Sequence, residues 1–395
     1  MIRRIRIICL IGLLPGIVLS QAGDDIADHT NFEKAVEYLL PMQEHDVDYN
    51  DLYDKLFTLY LHPLELNLAS RSEFQALFFL SEDQIESFLQ YRAKYGGLLT
   101  IYELLTIEGF DQKTVETLAP FVMLTYSRKQ GFWQSLKNPD RNDLIMRIQS
   151  DLESKRGYST PDTVRGNATS RYMGNPLRLY SRYTYASPSR YSFGFTFEKD
   201  PGEQIVWDPS TRRYGMDYYS FHGMVQGNKQ IRKIIVGDFS MDFGQGLVFG
   251  SGLRLGKGFE PITTVRRNNL GLRPYQSVYE SKDFSGIAVE SHIAFVQMTV
   301  FYSSVRRDAT IRNDSTDINY VSTIQTIGLH RTQNEIHSKH NLTDKSVGVN
   351  ITCQGFNDKL HIGLNAIHTT YNFPLQVNPR NYNQHYFNGK VNALA

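Results

Sequence analysis

The sequence predicts a multidomain chain of α + all-β class, in which a helical N-terminal part precedes an antiparallel β-barrel. Two observations predict this division. After Tyr126 the spacing of apolar residues changes from three and four apart, as in helices, to alternate positions, as in strands. The charge changes at the same place: residues 21–124 hold six basic and nineteen acidic side chains, a balance of −13, whereas residues 125–395 carry +11. The length of 395 residues also exceeds one ordinary domain.

Residues 1–20 are typical of a secretory signal peptide. Basic Arg3, Arg4 and Arg6 precede the apolar run "IICLIGLLPGIVL", and small Ser20 follows it. The run is shorter than the roughly 20 residues needed to cross a bilayer, so we expect cleavage rather than anchoring. Export leaves three destinations: secretion, the periplasm, or insertion into an outer membrane as strands. Cys353 is the only cysteine beyond this segment, which excludes a small disulfide-stapled scaffold.

Residues 21–63 form an acidic lead-in with helical spacing, in "FEKAVEYLL" and "YNDLYDKLFTLYL". A further helix is predicted over "EDQIESFLQYRAKY". Capping residues support these helices: the boxes Ser81/Gln84 and Ser70/Glu73 at helix starts, and the pair Gly96-Gly97 at a helix end.

Residues 64–122 contain, in order, "LELNLAS", "YRAKYGGLLTIYELL" and "IEGF", with Lys113 after it. This order resembles the tandem helix-hairpin-helix domain of the competence protein A (ComEA-like) family of DNA receptors. The resemblance implies such a domain over residues 64–124. It also implies a grip on nucleic-acid phosphate by Gly109, Phe110 and Lys113.

The hairpin residues and the charge weaken that implied activity. Phe79 stands where the family usually has glycine in the first hairpin, and Asp111 replaces the second glycine of the second hairpin. A carboxylate at a helix start accepts hydrogen bonds from the free N–H groups itself and repels a phosphate. Residues 61–124 hold four basic and nine acidic side chains, although nucleic-acid affinity comes mostly from Lys and Arg. A structural helical adaptor is therefore favoured over DNA binding.

Residues 125–395 are predicted to form a transmembrane β-barrel. Strand alternation is clearest in "RYSFGFTFEK", "VGVNITC" and "LHIGLNA", and further strands are predicted in "DLIMRIQ", "LRLYSRYTYA", "DYYSFHGMV", "IRKIIVGDF", "SGIAVES" and "FVQMTVFYSS". A soluble sandwich is the alternative. The signal peptide, the 24 Tyr and 23 Phe, and long polar connections such as "RDATIRNDSTDIN" favour the barrel. Ten to twelve strands are expected. The sequence stops at "FNGKVNALA", within an apparent strand, so we expect the barrel to be truncated there.

Glycine is dense in "VGDFSMDFGQGLVFGSGLRLGKG", which resembles strands of outer-membrane barrels of the Bacteroidetes. So many glycines predict a bend or a close approach to the backbone. Charged residues in and after this segment are candidates for the lumen of the barrel: Asp238, Asp242, Arg254, Lys257, Arg273 and Glu280. Structural ion pairs are the favoured interpretation of these charges, and a ligand face is the alternative.

Motifs for catalysis and cofactors are missing. No phosphate loop and no serine elbow occur, and His337 with His340 has no Cys or carboxylate partner at metal-ligand spacing. We therefore expect no catalytic residues, no metal and no cofactor.

Together these patterns predict a non-enzymatic outer-membrane protein with a periplasmic helical interaction domain, as a component of a transport or secretion channel. Its expected partners are outer-membrane lipid and an unidentified periplasmic protein, while nucleic acid is disfavoured by the acidic charge of residues 21–124. Two alternatives stay open: a receptor for DNA uptake, and a soluble periplasmic β-sandwich.

Overall fold

The computed structural model contains a helical unit followed by a large antiparallel sheet. It describes residues 24–39, 56, 59–60, 63–67, 69, 71–75, 77, 79–124, 132–139, 141–151, 153, 155–164, 167–168, 170–187, 190–227, 230–250, 270–275, 282–293, 295–313, 319–355 and 360–375. The predicted signal peptide, Ser70 and the tail after residue 375 lie outside these ranges.

Among its described residues, the helical unit contains four helices with assigned bounds, helical turns at residues 56 and 59–60, and one short parallel strand pair. Its elements are α1 (Asp24–Leu39), β1 (Leu64–Glu65), α2 (Arg71–Gln75), α3 (Glu82–Tyr95), the 3₁₀ helix Ile101–Thr106, α4 (Gln112–Leu118), the 3₁₀ helix Ala119–Phe121 and β2 (Val122–Met123). The two strands pair in parallel, Leu64 with Val122, and so close the unit over residues 64–123. A core of its own holds the unit together, including Phe32, Phe74, Phe88 and Phe121.

Local sequence explains where α3 begins and ends. The Ser81 hydroxyl accepts a hydrogen bond from the Gln84 N–H, and the Gln84 side chain accepts one from the Ser81 N–H, which confirms the predicted capping box. Gly96 ends the helix with φ of +92°, a conformation that glycine adopts without a steric cost. No described helix is long and apolar enough to cross a membrane.

The sheet follows α5 (Phe132–Lys137). Its strands are β3 (Arg141–Ser150), β6 (Leu177–Ser187), β7 (Tyr191–Lys199), β10 (Tyr218–Gln226), β11 (Ile231–Asp242), β12 (Gly271–Pro274), β13 (Phe284–Ile293), β14 (Val296–Asn313), β15 (Asn319–Gln325), β16 (Leu342–Gly355) and β17 (Leu360–Tyr371). Outside it lie the strand pairs β4 (Thr163–Val164) with β5 (Asn167–Ala168) and β8 (Val206–Asp208) with β9 (Arg213–Gly215), and helix α6 (Gln333–Ser338).

Neighbouring strands of the sheet follow the chain as an antiparallel meander, in the order β3-β6-β7-β10-β11-β13-β14-β16-β17, with β12 added to β11 and β15 to β14. These eleven strands agree with the ten to twelve predicted. In the described part of the chain, β3 and β17 are edges that do not pair with each other, so the sheet is open. The large antiparallel sheet after a helical N-terminal part is thus confirmed, and closure into a barrel is not.

One predicted connection is wrong. "RDATIRNDSTDIN" was expected to be a polar loop, but its first half, Arg307–Asn313, continues β14 and pairs with β15. Five of these seven residues are polar or charged, so the composition resembles that of a loop, although Ala309 is fully buried.

The two ends of the sheet differ in the length of their connections. At one end, residues 188–190, 227–230, 294–295 and 356–359 link the strands in two to four residues. At the other end, the connections run over residues 151–176, 200–217, 243–283 and 314–341. The helical unit contacts the sheet at the short-turn end, where Arg141 Nη1 donates a hydrogen bond to the Tyr60 carbonyl at 2.8 Å and the guanidinium lies over the Tyr60 ring.

Candidate functional site

One face of the sheet exposes large apolar side chains across nearly all of its strands. We call it the apolar belt: Leu144, Met146, Ile148, Phe193, Phe195, Phe221, Ile234, Val236, Ile287, Val300, Tyr302, Val347, Ile362 and Leu364. Strand register makes the belt continuous, because Val236 pairs with Ile287, Ile287 with Tyr302, and Tyr302 with Val347.

The opposite face is buried and carries many polar side chains, together with an apolar patch that includes Ile235, Ala288 and Phe301. Adjacent residues of β14 show the contrast: Val300 is 41% exposed and Thr299 is fully buried. Other residues buried on this face are Thr184, Thr196, Glu198, Ser220, Glu290, Ser303 and Asn350. A sheet of a soluble protein has the reverse arrangement, with the apolar face in the core and polar residues outside.

The apolar patch of this face is covered by the glycine-rich segment, which starts within β11. Phe243 and Phe249, which follow β11, form one cluster with residues of the sheet, among them Phe239, Met241, Leu272, Met224 and Phe301. The segment begins at Gly237, whose φ is +99°, and a Cβ there would lie 2.3 Å from the Phe221 carbonyl oxygen. The predicted close approach to a glycine backbone is therefore found at this residue.

The lumen candidates divide into three groups. Asp238 is fully buried and pairs with Lys282 at 2.7 Å, and its carboxylate also accepts the Phe221 N–H. Asp242 is buried in β11, and Arg273 lies on the paired strand β12. They are next in sequence to Met241 and Leu272 of the apolar cluster around Phe239. Arg254, Lys257 and Glu280 lie outside the described residues.

Arg273 also borders a cavity of about 220 Å³ between the helical unit and the sheet. The two walls of this cavity differ in charge. Glu65 and Glu73 line it from the helical unit, and Arg232, Lys233 and Arg273 line it from the sheet. This contact has the charge complementarity that the −13 and +11 halves of the sequence suggest.

A buried ionic cluster lies at the long-loop end, and it is the main feature that the sequence did not predict. His330 Nδ1 lies 2.5 Å from Asp217 Oδ2, and His330 Nε2 lies 2.8 Å from Asp308 Oδ2. Lys339 Nζ contacts Asp217 Oδ1 at 2.6 Å, and Glu203 accepts the His330 N–H at 2.8 Å. All five residues are buried or nearly so. They join β14 to two of the long connections, residues 200–217 and 314–341.

Electrostatics within the cluster favour a charged His330. Burial opposes the charge, but hydrogen bonds to Asp217 and Asp308 outweigh it and raise the pKa of His330 to about 9. Burial and the charge of Asp217 raise the pKa of Glu203 to about 7. Burial also acts to raise the pKa of Asp217, yet His330 and Lys339 hold that pKa below its ordinary value. At neutral pH the cations of His330 and Lys339 neutralise the two aspartates.

Glu203, Asp217 and His330 could hold a metal by proximity, since their ligand atoms lie within 4.8 Å of one another. Both ring nitrogens of His330 are already hydrogen-bonded to carboxylates, however, and a protonated imidazole has no lone pair for a metal. The Lys339 ammonium supplies the positive charge that a metal would bring. The arrangement therefore suits a cluster of ion pairs that stabilises the long connections better than it suits a metal centre.

The two histidines rejected as a metal pair on their sequence context, His337 and His340, are separated by the local structure. His337 lies in α6, which begins with a capping box of Thr332 and Glu335. His340 follows the helix with φ of +54° and lies beside His330, with ring centroids 6.4 Å apart. Burial, followed by the charge of Lys339, lowers the pKa of His340 to about 4.

The second predicted hairpin keeps its turn but presents little to a phosphate. Gly109 has φ of +90°, while Phe110 is buried in the helical core. Asp111 caps α4 by accepting the Thr114 N–H at 2.7 Å. Hydrogen bonds from the Thr114 side chain, and then from its N–H, lower the pKa of Asp111. The Lys113 ammonium lies 3.9 Å from the centre of the Tyr38 ring in α1.

The other three cations of residues 61–124 also have contacts. Arg71 pairs with Glu82 at 3.1 Å and with Glu86, and Arg92 donates to the Leu66 and Ala69 carbonyls. Lys94 lies over the Tyr95 ring. The helical unit therefore uses its few cations within its own structure.

Comparison of the chain with protein-family models, curated proteins and solved structures found no match. The function is therefore inferred from the geometry of the sheet and of the helical unit. The ionic cluster had no signal in the sequence, because Asp217 and His330 are 113 positions apart and neither lies in a motif.

Proposed function

We propose that this chain is a non-enzymatic outer-membrane protein whose sheet is the wall of a β-barrel, with the helical unit in the periplasm. The observation that carries the proposal is the exposed apolar belt, which lies opposite a buried face rich in polar side chains. Hydrocarbon lipid is the environment in which apolar residues face outward and polar residues face inward. An exposed apolar surface of this extent would otherwise favour aggregation.

The unequal ends of the sheet support the orientation. Bacterial outer-membrane barrels have short periplasmic turns and long extracellular loops. The helical unit contacts the short-turn end, where α5 also lies, and this agrees with a periplasmic position. The long connections, tied together by the ionic cluster, would then face the exterior.

Aromatic residues at the two ends fit the boundaries of a membrane. At the short-turn end, Phe132 contacts Trp133 and Tyr191, and the Trp133 side chain is 77% exposed. At the long-loop end, the hairpin β8–β9 exposes Trp207, which contacts Tyr214. Tyr and Trp favour membrane–water interfaces because their rings are apolar and their tips are polar.

The proposal is tested by fractionation of cells that produce the full chain. We expect the protein with the outer membranes, and we expect its electrophoretic migration to change on heating, as folded barrels unfold. A chain found in the soluble periplasmic fraction, with unchanged migration, would support the β-sandwich alternative.

The helical unit is further proposed as an interaction domain that covers the periplasmic mouth of a transport or secretion channel. The Arg141–Tyr60 contact and the cavity with walls of opposite charge support this role. Uptake of DNA is the second candidate, on the strength of the left-handed turn at Gly109. The cations of residues 61–124 already contact groups of the helical unit itself, and this weighs against DNA binding.

A further inference from the structure

A polar cleft of about 210 Å³ opens at the long-loop end of the sheet, beside the ionic cluster. Four of its lining residues, Tyr219, Ser285, Ser304 and Arg306, belong to the same face as the apolar belt. Each is separated by two or four residues from a belt residue on its own strand, and alternate residues of a strand share a face. On β10 the nearest belt residue to the cleft is Phe221, and on β14 it is Tyr302. The cleft therefore borders the belt directly.

Five charged side chains line the cleft, and four of them are already paired. Asp217 pairs with Lys339, Asp308 with His330, Lys282 with Asp238, and Arg307 with Asp344, at 2.6 to 2.9 Å. The fifth is Arg306, which is exposed and has no ion pair within the described residues. The charged group available to a ligand is thus the single guanidinium of Arg306.

Around that guanidinium the cleft offers the hydroxyl groups of Ser285, Ser304 and Thr326. Hydroxyl groups with one arginine suit an anion that accepts several hydrogen bonds, and phosphate is the best match for a guanidinium fork. The volume is below the roughly 300–1,000 Å³ of sites that enclose a drug-sized ligand. It fits a headgroup phosphate whose remainder lies outside.

We propose that this cleft binds the phosphate of an anionic lipid headgroup, with Arg306 as the principal contact. The acyl chains of the lipid then lie along the apolar belt, which begins two residues from Ser304 at Tyr302. The position favours a lipid over free phosphate, because the headgroup and its chains meet the cleft and the belt in the order in which they occur in a membrane. This inference depends on the proposed membrane function.

Native mass spectrometry of the full chain in detergent micelles tests the inference. The probes are phosphatidic acid, diacylglycerol with the same acyl chains, and inorganic phosphate as a competitor. We expect one phosphatidic acid to be retained and diacylglycerol to be lost. In Arg306→Gln, the affinity for phosphatidic acid should fall about tenfold, since a charge-assisted hydrogen bond is worth roughly 1.5–3 kcal/mol.

The matched control is Arg312→Gln, which removes another exposed arginine of β14 that does not line the cleft. Its affinity should equal that of the parent chain. Equal retention by Arg306→Gln, equal binding of diacylglycerol, or full displacement by equimolar inorganic phosphate would each overturn the inference. A chain that enters micelles and migrates as a folded barrel, yet shows one of these results, leaves the proposed function standing. A chain that does not enter micelles counts against that function instead.

Discussion

At the scale of single residues, His330 is the centre of the long-loop end. Its ring is held by Asp217 and Asp308 on opposite sides, and its N–H is held by Glu203. Further bonds extend this network to the first long connection, since the Met173 N–H donates to the Arg331 carbonyl at 2.9 Å and the Gly174 N–H to the Gly202 carbonyl at 2.8 Å. These hydrogen bonds join three connections, residues 151–176, 200–217 and 314–341, into one layer that we call the cap.

The cap should loosen as the pH rises. The pKa of His330 is raised from 6.5 to about 9, so its contribution to stability is complete below pH 6.5 and is lost as the pH passes through 9. Glu203, raised from 4.5 to about 7, has the same sign, and its contribution is lost as the pH passes through 7. Limited proteolysis of the full chain across pH 6 to 10 should therefore cut residues 326–341 faster at the alkaline end.

His330→Gln provides the comparison for that measurement. Removing the imidazolium leaves two buried aspartates with one cation, so cleavage should be rapid already at pH 6 and should lose most of its rise toward pH 9. His337→Gln, an exposed histidine in the same connection, is the control and should retain the parent profile. A parent profile that is flat between pH 6 and 10 would contradict the role of the cluster.

Asp111 is a second residue whose role can be tested. Asp111→Gly restores the glycine of the hairpin pattern and removes the cap of α4. We expect no gain in DNA affinity, because all four cations of residues 61–124 contact groups within the helical unit. Anisotropy of labelled duplex DNA, titrated with the full chain at low salt, measures this.

Lys113→Gln serves as the reference variant in the DNA titration. Binding by Asp111→Gly that weakens with salt and is lost in the Lys113→Gln background would revive the receptor hypothesis. Equal, weak signals from all variants would agree with the structural role of the hairpin.

At the scale of elements, the apolar belt makes a direct prediction for β14. Val300→Arg places a charge on the exposed apolar face, and at the middle of a bilayer this should destabilise the folded chain by about 2–4 kcal/mol. Denaturant unfolding of the chain in lipid vesicles measures the change. Thr323→Arg, on the exposed face of β15 beyond the belt, should change stability by less than about 0.5 kcal/mol. Equal effects of the two substitutions would contradict a lipid environment for β14.

Sequence patterns predicted these elements where the determinants are local. The alternation of Phe193 and Phe195 with Thr196 predicted β7, and the Ser81/Gln84 box predicted the start of α3. The end of β14 was not predicted, because polar residues outnumber the apolar Ala309 and Ile311 in Arg307–Asn313, and its partner β15 follows a connection that the pattern does not specify. The ionic cluster and the pairing of Asp238 with Lys282 could not be predicted, since they depend on how distant strands and loops meet.

At the scale of the whole molecule, the helical unit and the sheet meet at the short-turn end. If this unit covers the mouth of a channel, deletion of residues 21–124 should raise the single-channel conductance of the protein in planar bilayers. Arg141→Ala removes the contact with Tyr60 and should shift conductance in the same direction by a smaller amount. Lys137→Ala, a control on exposed α5, should leave conductance unchanged. Unaltered conductance after the deletion would eliminate the covering role.

Fluorescence quenching at two labelled sites measures whether the apolar belt faces lipid. A chain with Cys353→Ser is labelled with one fluorophore at Val300→Cys in the belt or at Thr323→Cys beyond it, and is reconstituted in lipid vesicles. If the belt faces lipid, nitroxide-labelled lipid should quench position 300 strongly and aqueous iodide should quench it little, with the opposite result at position 323. Quenching at position 300 by iodide, as strong as at position 323, would contradict a lipid-facing belt.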